Sequence, residues 1–398
     1  MQHLFQSIDS FLIKHQQYWR FEPFFASFSD ALLWQQTHPE LCSWLSTLSE
    51  LQIEQYKQDS SLLFDHIGRF FPELKSHLAS LYVPELPNHG LQLARGVDSG
   101  VPGRKLAQIV SMGEAALAQH HGKEWLEWCS GKGFLGRILA SQSGEKVTSF
   151  EFQHALCESG QQEADKQHLP MQFVQGDAFD ESAKQVFNDK QHAVALHACG
   201  DLHVTLLKHG VTHHLPAMTI SPCCYHLIKD DDYQALSKQG QASELALTQQ
   251  ELRIPLQELV TGGERVKRHR FLEMSYRLGF ELLLREQLGH QQYTPIPSIK
   301  KSLLSEGFEP FCQWAAEKKQ LNLPQVDFDG YFERGQQRYW QMERLSLVQQ
   351  LFKRGLEMWL VLDKALYLQQ NGYQVSVSEF CSRATTPRNL LIHAQRNV

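Results

Sequence analysis

Three short stretches of this chain carry residue types that could act on a bound ligand. The first, Glu127-Trp-Cys129-Ser-Gly131-Lys-Gly133-Phe-Leu-Gly136-Arg, contains the string G-x-G-x-x-G. Glycines so spaced let a ligand approach the backbone and let a strand turn tightly into a helix. Downstream, Glu151 closes the next strand-like run, where an acid accepts hydrogen bonds from ribose hydroxyls. The third run ends in Val-Gln-Gly176-Asp177-Ala178, which puts Asp177 in reach of an adenine amino group.

Two ligands suit such a loop, a dinucleotide and S-adenosylmethionine, and charge discriminates between them. A pyrophosphate brings negative charge to the loop and the following helix N-terminus, where Glu127 is an awkward neighbour. A sulfonium bearing an ammonium group is attracted by the same acid, by on the order of a few kcal/mol in a partly buried site. The methyl donor is therefore the favoured reading, with a nicotinamide-dependent oxidoreductase and a non-catalytic cofactor-binding module as alternatives. In the plainest reading Glu127 and Asp177 are solvated strand ends.

Two further stretches lie where chemistry collects in open α/β sheets, beyond the carboxyl ends of strands. They are His197-Ala-Cys199-Gly200-Asp201-Leu-His203 and Ser221-Pro222-Cys223-Cys224-Tyr225-His226. Methyl transfer by in-line displacement needs alignment and, for a protonated acceptor, a base. Asp201, Cys223, Cys224, Tyr225 and His226 are the candidate catalytic residues. No metal is expected, because C-x-x-C is absent and adjacent cysteines rarely serve one zinc tetrahedrally. Cys223 and Cys224 serve equally well as small residues packing where strands meet.

The elements that must position these residues follow from periodicity. Strand-like runs begin near 124, 146, 171, 193 and 217, at intervals of 22 to 25 residues. Each interval holds a strand, about three helical turns and two loops, the rhythm of consecutive βαβ units forming a parallel sheet. Phe134, Leu135, Ile138 and Leu139 share one face of a helix after the first strand. Residues 1–95 have helical spacing and end in a Pro/Gly cluster. Four blocks are expected: a helical domain at 1–95, a Rossmann-like core at 96–240, a helical insertion at 241–371, and strands at 372–398 that return to the sheet as an antiparallel hairpin.

Composition narrows the class. The chain has 398 residues, 42% of them hydrophobic, and a net charge of −6, which excludes disordered and collagen-like proteins and a uniformly basic coat. Neither a secretory leader nor an apolar run long enough to cross a membrane is visible. Eight cysteines are too sparse for a disulfide scaffold, so reduced thiols in a cytoplasm are expected. Oligomeric state is not legible.

Together the glycine loop, His-Ala-Cys-Gly-Asp-Leu and Ser-Pro-Cys-Cys-Tyr-His resemble the motifs of the methyltransferase domain 32 family, which includes the methyltransferase-like 25 proteins and the glutathione-S-transferase-C-terminal-domain-containing protein. Leu362-Asp363-Lys-Ala-Leu-Tyr-Leu-Gln and Thr386-Pro387-Arg388-Asn389-Leu390 resemble that family's closing segments, so the likeness runs from about 100 to 398. It implies a class I methyltransferase fold and S-adenosylmethionine binding by Glu127, Gly131, Gly133, Glu151 and Asp177. Lys105, Cys129, Ala178, His197 and Cys199 complete the expected cofactor set. A family pair of basic residues falls on Arg104-Lys105, though its later acid is Gln108 here. Cys129 stands where many methyltransferases have their first loop glycine. The implied acceptor is macromolecular, RNA or a protein of the translation apparatus.

Local charge bears on that acceptor. Residues 261–301 carry a net +4 and residues 331–354 a net +3, leaving −13 for the remainder. Such bases could hold a phosphate backbone if they share a face; otherwise they are a solvated helix surface. RNA is accordingly the leading expectation.

Overall fold

A computed structural model describes residues 1–257 and 263–397 and, within them, every side chain except that of Arg104. The basic pair expected at Arg104-Lys105 thus falls partly outside the described residues.

One seven-stranded sheet organises the fold. Its strands are β1 (Glu124–Trp128), β2 (Val147–Glu151), β3 (Met171–Gln175), β4 (Gln191–Cys199), β5 (Ala217–Cys223), β6 (Tyr373–Glu379) and β7 (Leu390–Arg396). The order is β3-β2-β1-β4-β5-β7-β6. The first five run parallel, and β7 pairs antiparallel with both β5 and β6. The expected α/β fold is observed, with five parallel strands and the closing hairpin returned to the sheet. Beginning at β1, the order runs outward to β3 and then back across to β4, so the switch point lies between β1 and β4, beside the glycine loop.

Burial explains why these segments are strands. All residues of β2 and β5 are buried, which suits a parallel sheet covered on both faces. On one face Leu135, Ile138 and Leu139 of the helix Phe134–Ser143 join Ile109, Met112 and Ala116 of the helix Gly103–Ala118 and Trp125 of β1 in a single apolar cluster. The helix Lys353–Gln370 is buried almost all round. Its polar residues Asp363 and Lys364 are consequently forced to find internal partners.

The chain divides into two compact units that interleave in sequence. One comprises residues 1–14, 77–257 and 353–398; the other comprises residues 15–76 and 258–352. This division crosses the block boundaries read from composition at 95, 240 and 371. The first unit contains the sheet. The second is helical, built on Glu264–Leu288, Phe308–Lys319 and Phe328–Gln350 around Tyr276, Phe280, Phe308 and Phe311. Among the described residues no helix is long and apolar enough to cross a membrane.

Candidate active site

The loop between β1 and the helix Phe134–Ser143 is held from β2. The Gly131 amide donates to Glu151 Oε2 at 2.9 Å and the Gln153 amide to Oε1 at 2.9 Å, while the Ser130 amide donates to the Phe150 carbonyl. Gly131 has φ 59°, and the space a Cβ would occupy there is empty to 4 Å. The loop backbone therefore stands open to a ligand. Among the described residues Ser130 Oγ, which is buried, has no partner, and neither has Gln108 Nε2 on the helix Gly103–Ala118.

Glu127 is differently employed from what its charge suggested. Its carboxylate is buried and accepts from the Ser149 hydroxyl at 2.7 Å and from the amides of Leu135 and Gly136, the first turn of the following helix. Burial pushes its pKa up to about 7 despite those donors and the nearby Arg137. Its geometry is that of a helix N-terminal anchor.

Beyond β2 and β3, Asp177 is half-buried and accepts the Phe179 amide at 2.9 Å, with Ala178 buried behind it. Phe152 and Phe179 are 65% and 62% exposed, each within two residues of a candidate acid. Large apolar side chains at strand ends offer flat contact area to an adenine ring. Sequence reasoning passed over both, although Phe152 directly follows Glu151 and Phe179 lies two residues after Asp177.

At the ends of β4 and β5 the backbone is strained. A bulge separates Leu196 from Cys199, and His197 and Cys224 have φ of 69° and 45°. Cys129, at the end of β1, has φ 55°, so it adopts the left-handed conformation that a glycine would hold freely. Three non-glycine residues in this region thus mark adjoining strand ends, a distribution typical of functional sites. Gly200 is required for another reason: a Cβ there would collide with the Leu227 carbonyl.

The segment after β5 is clamped to the turn after β4. The Asp201 amide donates to Leu227 O at 3.0 Å and Asp201 Oδ2 accepts the Lys229 amide at 2.8 Å. Trp128 Nε1 donates to Leu202 O at 2.9 Å, tying β1 to the same turn. Tyr225 is fully buried, its hydroxyl 3.4 Å from Pro222 O, which places it beneath the site as support. His226 is half-buried and its Nδ1 has no partner among the described residues. A cavity of about 230 Å³ beside this clamp is lined by Phe179, Asp201, Lys208, Lys229, Asp230 and Asp232.

The residues matched to the closing motifs support that segment. Asp363 accepts from the Leu236 and Ser237 amides, each at 2.9 Å, from Ser237 Oγ at 2.6 Å and from Tyr233 Oη at 2.8 Å. Lys364 Nζ donates to Tyr233 Oη at 2.9 Å and lies 4.9 Å from the Tyr233 ring centroid and 5.6 Å from that of Tyr225. Burial lowers its pKa to about 8.

Three sulfurs converge here despite the spacing that argued against it. Those of Cys199, Cys223 and Cys224 lie within 4.8 Å of one another, and Cys199 Sγ is 3.2 Å from Cys223 Sγ. A hydrogen bond from Cys223, with Arg388 nearby, lowers the Cys199 pKa to about 6, while the same bond and burial raise that of Cys223. His203 is buried against Ala198 O and stands outside this group. All eight cysteines are free of disulfide bonds.

Residues 104–231 match the family model described as a methyltransferase domain. This segment is a methyltransferase domain of the S-adenosylmethionine-dependent class. Its residues fit that cofactor on their own geometry: open backbone at Gly131, Ser130 Oγ and Gln108 Nε2 without partners among the described residues, and the acids Glu151 at the end of β2 and Asp177 after β3. No curated protein matches the chain. Among solved structures, the Pyrococcus abyssi tRNA (uracil-54, C5)-methyltransferase with S-adenosylhomocysteine is 22% identical over 29% of this chain and 28% of that one, with TM-score 0.25. The Aeropyrum pernix fibrillarin with S-adenosylmethionine is 16% identical over 29% of this chain and 52% of that one, also at 0.25. The chain thus spans about a quarter to a half of the length of those structures.

Proposed function

We propose that this protein transfers a methyl group by in-line displacement to a macromolecular acceptor presented at the carboxyl ends of β4 and β5. The observation that carries the reading is the glycine loop bonded to the Glu151 carboxylate with open backbone at Gly131. S-adenosylmethionine, when bound, supplies a methyl carbon activated by its sulfonium. Glu151 and Asp177 would fix its nucleoside, with Phe152 and Phe179 against the adenine, and Ser130, Gln108 and Lys105 at its other end. His226, with Nδ1 unpartnered, is the residue best placed to take a proton from the acceptor. Asp201 holds the segment that carries it.

The acceptor is better read as a protein than as RNA. The bases that favoured RNA are largely committed to partners within the molecule. Arg270 pairs with Glu343, Arg277 with Glu273, Arg285 with Glu281, Arg334 with Glu286 and Arg338 with Asp30. Lys267 pairs with Glu264, Arg354 with Glu357 and Glu379, and Arg344 donates to the Leu45 and Leu48 carbonyls. Bases held in this way are less free to follow a phosphate track, and three carboxylates, with Lys208 and Lys229, line the cavity beside the site. Reduced, disulfide-free cysteines support a cytoplasmic location.

The test is incubation of a knockout lysate with enzyme and methyl-labelled donor, followed by parallel RNase and protease digestion. Label lost to protease and retained after RNase is expected; label released by RNase would restore RNA. Calorimetry showing NAD binding without S-adenosylmethionine binding would overturn the whole reading.

A further inference from the structure

We propose that Cys199, Cys223 and Cys224 bind a zinc ion across the ends of β4 and β5, with His197, which lies 4.0 Å from Cys223 but outside the sulfur cluster, closing in as fourth donor. This site stands apart from the identity of the methyl acceptor.

Geometry carries the inference. A tetrahedral zinc with Zn–S bonds of about 2.3 Å spaces its sulfurs roughly 3.8 Å apart. The three sulfurs here lie within 4.8 Å of one another, with Cys199 and Cys223 at 3.2 Å. His197 Nδ1 is 4.0 Å from Cys223 Sγ. Its other ring nitrogen, Nε2, is 3.2 Å from Gln108 Oε1, an acceptor, so the ring proton sits on Nε2 and Nδ1 presents a lone pair toward the sulfurs. A histidine oriented through its far nitrogen is the usual second-sphere arrangement around bound metals.

Local backbone explains how two consecutive cysteines join one site. Along a strand, neighbouring side chains point to opposite faces, which is why Cys223-Cys224 argues against a shared ion in sequence. The positive φ of Cys224 breaks the alternation just past β5, and the bulge after Leu196 resets Cys199 opposite Cys223. Three thiolates with Zn²⁺ leave a net −1, and Arg388 is near enough to act electrostatically on Cys199 and Cys224. Sulfur-rich sets of this kind favour zinc over magnesium or calcium. The thiols would then be ligands, and the ion would fix the strained turns next to the acceptor cavity.

Full-length protein purified under reducing conditions without chelator should contain about one zinc per chain by mass spectrometry. Cobalt in its place should give strong visible bands of a tetrahedral site and a thiolate charge-transfer band. Cys199→Ser/Cys223→Ser should lose the metal, Cys312→Ser should keep it, and Gln108→Leu should weaken zinc binding by roughly 10-fold. Cobalt spectra of the unaltered chain decide the matter if the double variant fails to fold. Absence of both zinc and cobalt bands in fully reduced protein, retention of zinc in the double variant, copper in zinc's place, or a Cys199–Cys223 disulfide in the purified chain would each overturn the proposal.

Discussion

The Gly131 amide donates to Glu151 Oε2 at 2.9 Å, so the glycine loop and the end of β2 form one hydrogen-bonded unit. Glu151 therefore holds the loop, and in the proposed complex its remaining lone pairs would meet the ribose. Glu151→Ala removes a charged acceptor from two amides, at about 1.5–3 kcal/mol for each such bond. Calorimetry should show S-adenosylmethionine binding weakened by at least about 10-fold. Unchanged affinity would remove Glu151 from the cofactor site.

Glu127 predicts a pH dependence of stability. Folded, it keeps its proton up to about 7, against 4.5 for a freely solvated glutamate carboxyl. A raised acid favours the folded state fully below the lower value, and that contribution fades as pH rises through the higher one. The difference amounts to about 3 kcal/mol. Melting temperature should fall between about pH 5 and pH 8, and Glu127→Gln should flatten that decline. Parallel profiles for the two proteins would show that the burial of Glu127 has no such consequence.

Cys129 holds a left-handed backbone that costs a non-glycine residue on the order of 1–2 kcal/mol. Cys129→Gly should raise the melting midpoint, and Cys129→Val should lower it. Its thiol is pushed up to about 12, chiefly by burial, so it should react slowly with iodoacetamide in the native protein.

Asp363 satisfies two amides and two hydroxyls in the segment leading from Tyr225 to Ser237. Asp363→Ala strands those donors and leaves Lys364 buried without its carboxylate neighbour, a loss of about 3–5 kcal/mol. Turnover should fall much more than cofactor affinity. An active, equally stable variant would contradict the anchoring role.

His226→Ala and Asp201→Ala should likewise reduce transfer more than binding. Loss of a positioned base typically costs 10²–10⁴-fold in rate. Full turnover in both variants would strike them from the site.

Much of the fold was readable in sequence because the parallel strands recur at an even interval. The runs expected near 124, 146, 171, 193 and 217 are β1 to β5, and the closing runs are β6 and β7. The candidate loop was readable where its motif is local, and Gly131 and Glu151 meet there in one hydrogen bond. The rest of the candidate site was obscure wherever a side chain's partner lies far along the chain. Glu127 turns inward because Ser149 sits 22 residues away on the neighbouring strand, and Asp363 meets its donors across 126 to 130 residues. The convergence of three sulfurs depends on a bulge and a positive φ, neither of which leaves a residue-type signal. The net charge of the basic insertion was readable in sequence, but which of its bases are held by internal partners was not, because Arg270 pairs with Glu343 and Arg338 with Asp30 far along the chain.

β7 lies between β5 and β6, and Thr219 meets its partner His393 across 174 residues. During synthesis β5 must therefore wait, with its outer edge unpaired, while the helical residues between are made. An apolar strand left open in this way is a template for wrong pairing. The last of the seven strands in chain order is thus an internal one, and removing residues 390–397 should produce aggregation of the nascent core rather than a trimmed, soluble enzyme.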